Sequence, residues 1–174
     1  KTLFPTRRSS DLGRIIPAFT TSALRQRGVM VTALNQDAYD VAALMSLLGV
    51  MGAIALFGIN SPVLAGVSTL SAVIHAIRIR GFHTVKAMKD PMLAILHMGY
   101  IWLTLGLGAL AMAGMSWIPL SPALHIFTVG AMGSMILGMI CRVALGHTGR
   151  RIFATPLMMI LFVGMQITVL IRVG

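Results

Sequence analysis

The chain has 174 residues, 57% of them hydrophobic and only 10% charged, with fourteen Lys+Arg against four Asp+Glu. A soluble domain carries roughly 25% charged residues, so this composition excludes an ordinary water-soluble globule and points to an all-α, polytopic transmembrane helix bundle. The single cysteine, Cys141, excludes an internal disulfide and a CxxC metal site.

The first twelve residues, KTLFPTRRSSDL, have no apolar period and no signal-peptide layout. FPTRRSSDL matches one reading frame of a common sequencing adapter. Residues 1–12 are therefore expected to be an adapter-translation scar, and residues 13–174 a partial transmembrane domain of a longer protein. Beyond the scar, eleven basic residues face only Asp37, Asp40 and Asp90. The segment 13–29, GRIIPAFTTSALRQRGV, is too short and too interrupted by Pro17 to span. It is expected to lie along the interface or to re-enter.

A spanning helix needs about 20 mostly apolar residues. Five runs qualify, at about 40–59, 62–80, 91–114, 122–145 and 156–172. Four of them open on a proline, which suits a first helical turn. Asp90, Ser121 and Thr155 stand before three of those prolines as candidate N-caps.

Basic residues between spans stay on the cytoplasmic side. Arg14, Arg25 and Arg27 precede the first run; Arg78, Arg80, Lys86 and Lys89 surround the second loop; Arg142, Arg150 and Arg151 surround the fourth. The links at 60–61 and 116–121 carry no charge, and the latter holds Trp117, suited to an interface. Only Arg172 falls on the opposite side. The first run therefore starts inside. Charge distributed in this way is topological, so no nucleic-acid partner is expected.

Ionisable residues at membrane depth usually face the bundle interior. On the second run, Ser68, Ser71, His75 and Arg78 recur at spacings of three and four and form one polar stripe. His75 lies about 8 Å, and His97 on the third run about 9 Å, from the same membrane side. Two imidazoles at matching depth could bind a haem iron or share a metal; they could equally make interhelical hydrogen bonds. On the fourth run, His125, Thr128, Met132, Met135, Met139 and Arg142 share a face by helical spacing. His125, about 5 Å below the outer end, is a separate metal candidate. Met132, Met135 and Met139 are either a soft copper path or adaptable packing. Gly130, Ser134 and Gly138 form a second stripe that lets another helix approach closely. Gly146 offers a left-handed helix end. Beyond it, Arg142, His147 and Arg150 could hold propionates, a quinone head group or lipid phosphate, or simply anchor the positive side.

GRIIPAFT at 13–20, LHMGYIWLTLGL at 96–107 and ALHIFTVGAMGSMILGMICRVALGHTGR at 123–150 together resemble the NnrS family of bacterial inner-membrane proteins. Arg14, Pro17 and Thr20 match the first block; His97, Gly99, Tyr100 and Trp102 the second; His125, Thr128, Gly130, Arg142, Gly146, His147, Thr148, Gly149 and Arg150 the third. Cys141 departs from the small residue expected there. The resemblance covers 13–174 and implies the C-terminal part of a longer chain, with neighbouring helices of that chain as partners besides the lipid bilayer. It also implies haem and copper as cofactors, a role in nitric oxide metabolism or nitrosative-stress protection, and nitric oxide or iron–nitrosyl species as possible ligands. It supplies no reaction. On the residues alone, two other classes stay open: a transporter with a histidine-lined path, and a non-catalytic assembly subunit.

Overall fold

The computed structural model describes residues 15–26, 28 and 37–174. Arg14, Arg27 and the expected scar at 1–12 lie outside the described residues. Among the described residues five helices are long and apolar enough to cross a membrane. In chain order the elements are α1 (Ile15–Gln26), α2 (Asp37–Phe57), α3 (Pro62–Ile79) with a 3₁₀ turn at Arg80–Phe82, the short α4 (Thr84–Ala87), α5 (Pro91–Gly114), α6 (Leu120–His147) and α7 (Pro156–Val173).

The proline starts set three boundaries as the sequence suggests. Ser61 Oγ accepts from the Val63 amide at 3.2 Å, Asp90 Oδ1 from Met92 at 3.0 Å, and Thr155 Oγ1 from Met158 at 3.3 Å. Each satisfies an amide that the first turn leaves without a helical partner. Three expectations need correction. Helix α2 starts at Asp37 rather than 40 and ends at Phe57, because Gly58 turns left-handed with φ 74°. Helix α6 starts at Leu120 after Pro119, so Ser121 lies inside it and caps nothing. Gly146 continues that helix; the left-handed residue is Gly149, φ 65°.

The largest departure lies within α6. Residues Ile126–Gly133 form a π-helical segment between two α-helical parts. Its wider turn shifts the angular phase of everything downstream. The face drawn by regular spacing therefore does not survive intact: Met132 is exposed, while Met135 and Met139 turn inward and line a cavity.

Successive long helices pack antiparallel. Ser46 Oγ on α2 meets Ser71 Oγ on α3 at 2.9 Å. A Cβ on Gly114 of α5 would meet the Ala65 amide of α3 at 3.0 Å, and one on Gly138 of α6 would meet Ile95 and Leu96 of α5 at 2.7 and 2.9 Å. The small stripe Gly130, Ser134, Gly138 is buried, and its glycines receive Trp102, Ile95 and Leu96 of α5. Helix α5 is central, with 50% of its membrane window buried against 17% for α2 and 11% for α7. One apolar cluster joins α5, α6 and α7 through Met92, Ile95, Leu96, Cys141, Leu145 and Phe162; a second joins α2, α3 and α5 through Val50, Ala53, Leu64, Leu107 and Leu110. This order gathers the end of α3, the start of α5, the end of α6 and the start of α7 at one end of the bundle, and the basic loops with them. The exposed Trp117 lies at the other end.

A polar link that the sequence reading missed ties α7 on. Trp102 Nε1–H donates to Gln166 Oε1 at 2.6 Å, and Gln166 Nε2–H donates to Ser134 Oγ at 3.0 Å. The available signal was a lone amide side chain within an apolar span. Interhelical hydrogen bonds in membranes average about 0.6 kcal/mol, with a maximum near 1.7. Gln166→Leu, which removes two, is expected to destabilise the bundle by about 1 kcal/mol, measured by reversible unfolding in mixed detergent.

Candidate functional site

The polar stripe of α3 is buried throughout: Ser68, Ser71, His75 and Arg78 all face protein. Their positions follow from a three-four repeat on a helix enclosed by α2 on one side and α5 on the other. Arg78 lies just before the 3₁₀ turn, and its guanidinium reaches both neighbours. Nε and Nη2 donate to Asp40 Oδ1 at 2.9 and 2.8 Å, and Nη1 donates to Tyr100 Oη at 2.9 Å. The charge lies 5.2 Å from the Phe82 ring centre and 5.6 Å from that of Tyr100.

Tyr100 Oη lies 2.7 Å from His75 Nδ1. The direction of that hydrogen bond decides what His75 offers. If the tyrosine hydroxyl donates to Nδ1, the proton of a neutral ring sits on Nε2. If Nδ1–H donates to the tyrosine oxygen, Nε2 presents a lone pair. Nε2 is buried and has no hydrogen-bond partner. The Ala43 carbonyl of α2 lies near the ring.

His75 lines a cavity of about 290 Å³ together with Arg78, Phe82, Tyr100, Met135 and Met139. Ile16 and Pro17 of α1 close part of its wall, so the short first helix belongs to the site. Gly99 makes room for one of the thioethers, since a Cβ there would stand 2.7 Å from Met135 Cγ.

The structure does not bring the two matched histidines to one place. His97 is fully buried and does not line this cavity. Its Nδ1 lies 3.0 Å from the Leu93 carbonyl and its Nε2 3.4 Å from the Phe82 carbonyl, with the Phe82 ring edge-on at 6.3 Å. Equal depth along two helices did not imply a shared face. His125, half-buried near the other end, donates from Nδ1 to the Ser121 carbonyl at 2.7 Å. Among the described residues no three His, Cys, Asp or Glu side chains cluster as a metal site. Arg142 and Arg150 meet in a different cavity, at the basic end, with Arg151; His147 is exposed and does not line it.

The start of α1, Tyr100 of the buried chain and the part of α6 apposed to α5 lie within the blocks that carry the resemblance; His75 and Arg78 lie outside them. The NnrS protein family model matches residues 10–174. The chain belongs to the NnrS family. NnrS membership makes it, in general terms, a membrane protein of the nitric oxide response. Comparison with curated proteins and with solved structures gives no match.

Proposed function

We propose that this NnrS chain holds copper at the His75 cavity and serves nitric oxide metabolism or nitrosative-stress protection in the bacterial inner membrane, with the basic end cytoplasmic. The observation that carries this reading is the buried, unpartnered Nε2 of His75 in a cavity shared with two thioethers.

The donor set fits copper. An imidazole nitrogen and the sulfurs of Met135 and Met139 suit Cu(I). The Arg78 charge is matched by Asp40, so the cavity does not present an unbalanced cation to an incoming metal. Tyr100 holds the far nitrogen of the ring, the arrangement that orients metal-binding histidines. For haem, the family's second expected cofactor, the cavity of about 290 Å³ falls just below the roughly 300–1,000 Å³ typical of small-molecule sites. His75 would offer one imidazole to it, and no second histidine lines the cavity. His97 and His125 are proposed as ligands only with the rest of a longer chain. A bound metal would supply a site for a diatomic or nitrosyl ligand. The chain's own residues fix the ring, exclude water through Phe82 and Ile16, and place the Tyr100 hydroxyl beside Nδ1.

The test is Cu(I) loading of the purified protein in competition with a colorimetric Cu(I) chelator, and a haem spectrum. His75→Ala and the Met135→Leu/Met139→Leu pair are expected to lose stoichiometric copper, and His75→Ala to shift the Soret band. Tyr100→Phe, which leaves the ligands in place, is expected to weaken copper binding by about 10–100-fold. Wild-type copper retention and an unchanged Soret band in His75→Ala would overturn the assignment.

A further inference from the structure

The second polar cavity, about 620 Å³, lies at the basic end, where α1, the start of α5, the end of α6 and the link to α7 meet. Among the described residues its cations are Arg142, Arg150 and Arg151, and its carboxylate is Asp90. Asp90 is engaged at the start of α5, accepting from the Met92 amide. Asp90 acts electrostatically on Arg142, which leaves three guanidiniums facing one carboxylate among the described lining residues.

Local structure builds this arrangement. The left-handed Gly149 reverses the chain: the Arg150 amide donates back to the Leu145 carbonyl at 3.0 Å and the Gly149 amide to Gly146 at 3.3 Å. That closing turn sets Arg150 and Arg151 beside the last turns of α6. Arg142 lies five residues before the end of α6, about 7.5 Å below it. Its guanidinium rests 4.3 Å from the centre of the Phe19 ring, so α1 fixes its position. Ser22 adds a hydroxyl to the wall, and Ile152 and Phe153 add apolar surface that is itself exposed.

We infer that this cavity binds the phosphate of an anionic lipid headgroup. A half-buried arginine short of counter-charge is costly in this setting, and a phosphate supplies several acceptors at once. The three cations spread over about 7.5 Å along the helix axis at the basic end, in reach of one phosphate group. Exposed Ile152 and Phe153 beside them suit the glycerol and the first acyl carbons. A freely diffusing phosphate shares the charge chemistry but uses neither apolar wall.

The experiment adds phosphatidylglycerol, phosphatidylcholine or inorganic phosphate to the protein in neutral detergent micelles and reads the rise in unfolding temperature against concentration. Wild type is expected to respond to phosphatidylglycerol and not to phosphatidylcholine. Arg150→Gln/Arg151→Gln is expected to weaken the response roughly 30-fold in concentration, from the usual contribution of each basic residue at an anionic surface. Both side chains are exposed, so the fold is retained. Lys86→Gln/Lys89→Gln removes the same charge from another exposed loop at that end and is expected to leave the response in place. Equal loss in both pairs, an undiminished response in the arginine pair, or an equal response to inorganic phosphate would each overturn the lipid assignment.

Discussion

Asp40→Ala is expected to destabilise the bundle by about 3–5 kcal/mol, the usual cost of leaving one member of a buried ion pair without its partner. The two side chains are only 9% and 14% exposed, and both Arg78 contacts fall on one Asp40 oxygen. Without that oxygen the guanidinium loses the Asp40 counter-charge and keeps the Tyr100 hydroxyl. It must then draw water between α2 and α3 or swing toward the membrane surface. Helix α2 suffers most, because its packing runs chiefly along α3. Asp40→Ala/Arg78→Met should lie much closer to wild type, since removal of both charges also removes the desolvation cost. Reversible unfolding in mixed detergent reads both variants. A single variant within about 1 kcal/mol of wild type would mean that the pair contributes no more than an exposed one.

Gly114→Leu is expected to cost about 3 kcal/mol, at the upper end of overpacking effects. Its Cβ would meet the Ala65 amide at 3.0 Å, the Ala65 Cβ at 3.2 Å and the Ser61 carbonyl at 3.2 Å. Two of these are backbone atoms, held at the start of α3 where Ser61 caps the helix, so no side-chain rotation makes room. α3 and α5 must separate, and the Ser61 cap is disturbed with them. Gly108→Leu is the control on the same helix. A Cβ there meets nothing within 4 Å, so that variant should be near neutral in the same measurement.

Much of the architecture was legible because membrane spans depend on strong, local signals. Apolar length, proline in the first turn and a capping side chain coincided at Asp90 and at Thr155; at Pro62 the proline gave the start, and the structure adds Ser61 as its cap. The polar stripe of α3 was equally plain, since an α-helix keeps its period and lipid rejects serine, histidine and arginine together. The pairing of Asp40 with Arg78 was not legible, although both residues were in view. Period gives the direction within one helix, not which neighbour stands opposite. The same limit separated His97 from His75: depth follows from counting residues, facing does not. Ser121 looked like a cap because it precedes a proline, yet Leu120 had already begun the helix and Pro122 fits inside its first turn. Gly146 and Gly149 offered the same left-handed freedom, and the hydrogen bonds of the following turn selected the second.

The wide turn at Ile126–Gly133 has a practical consequence for anyone engineering this protein. Helix α6 behaves as two rods with separate compass bearings, joined by a swivelled collar. Cross-links, probes or grafted ligands planned from His125 downward will be mis-aimed if one angular step is carried through to Met139. Each rod needs its own zero.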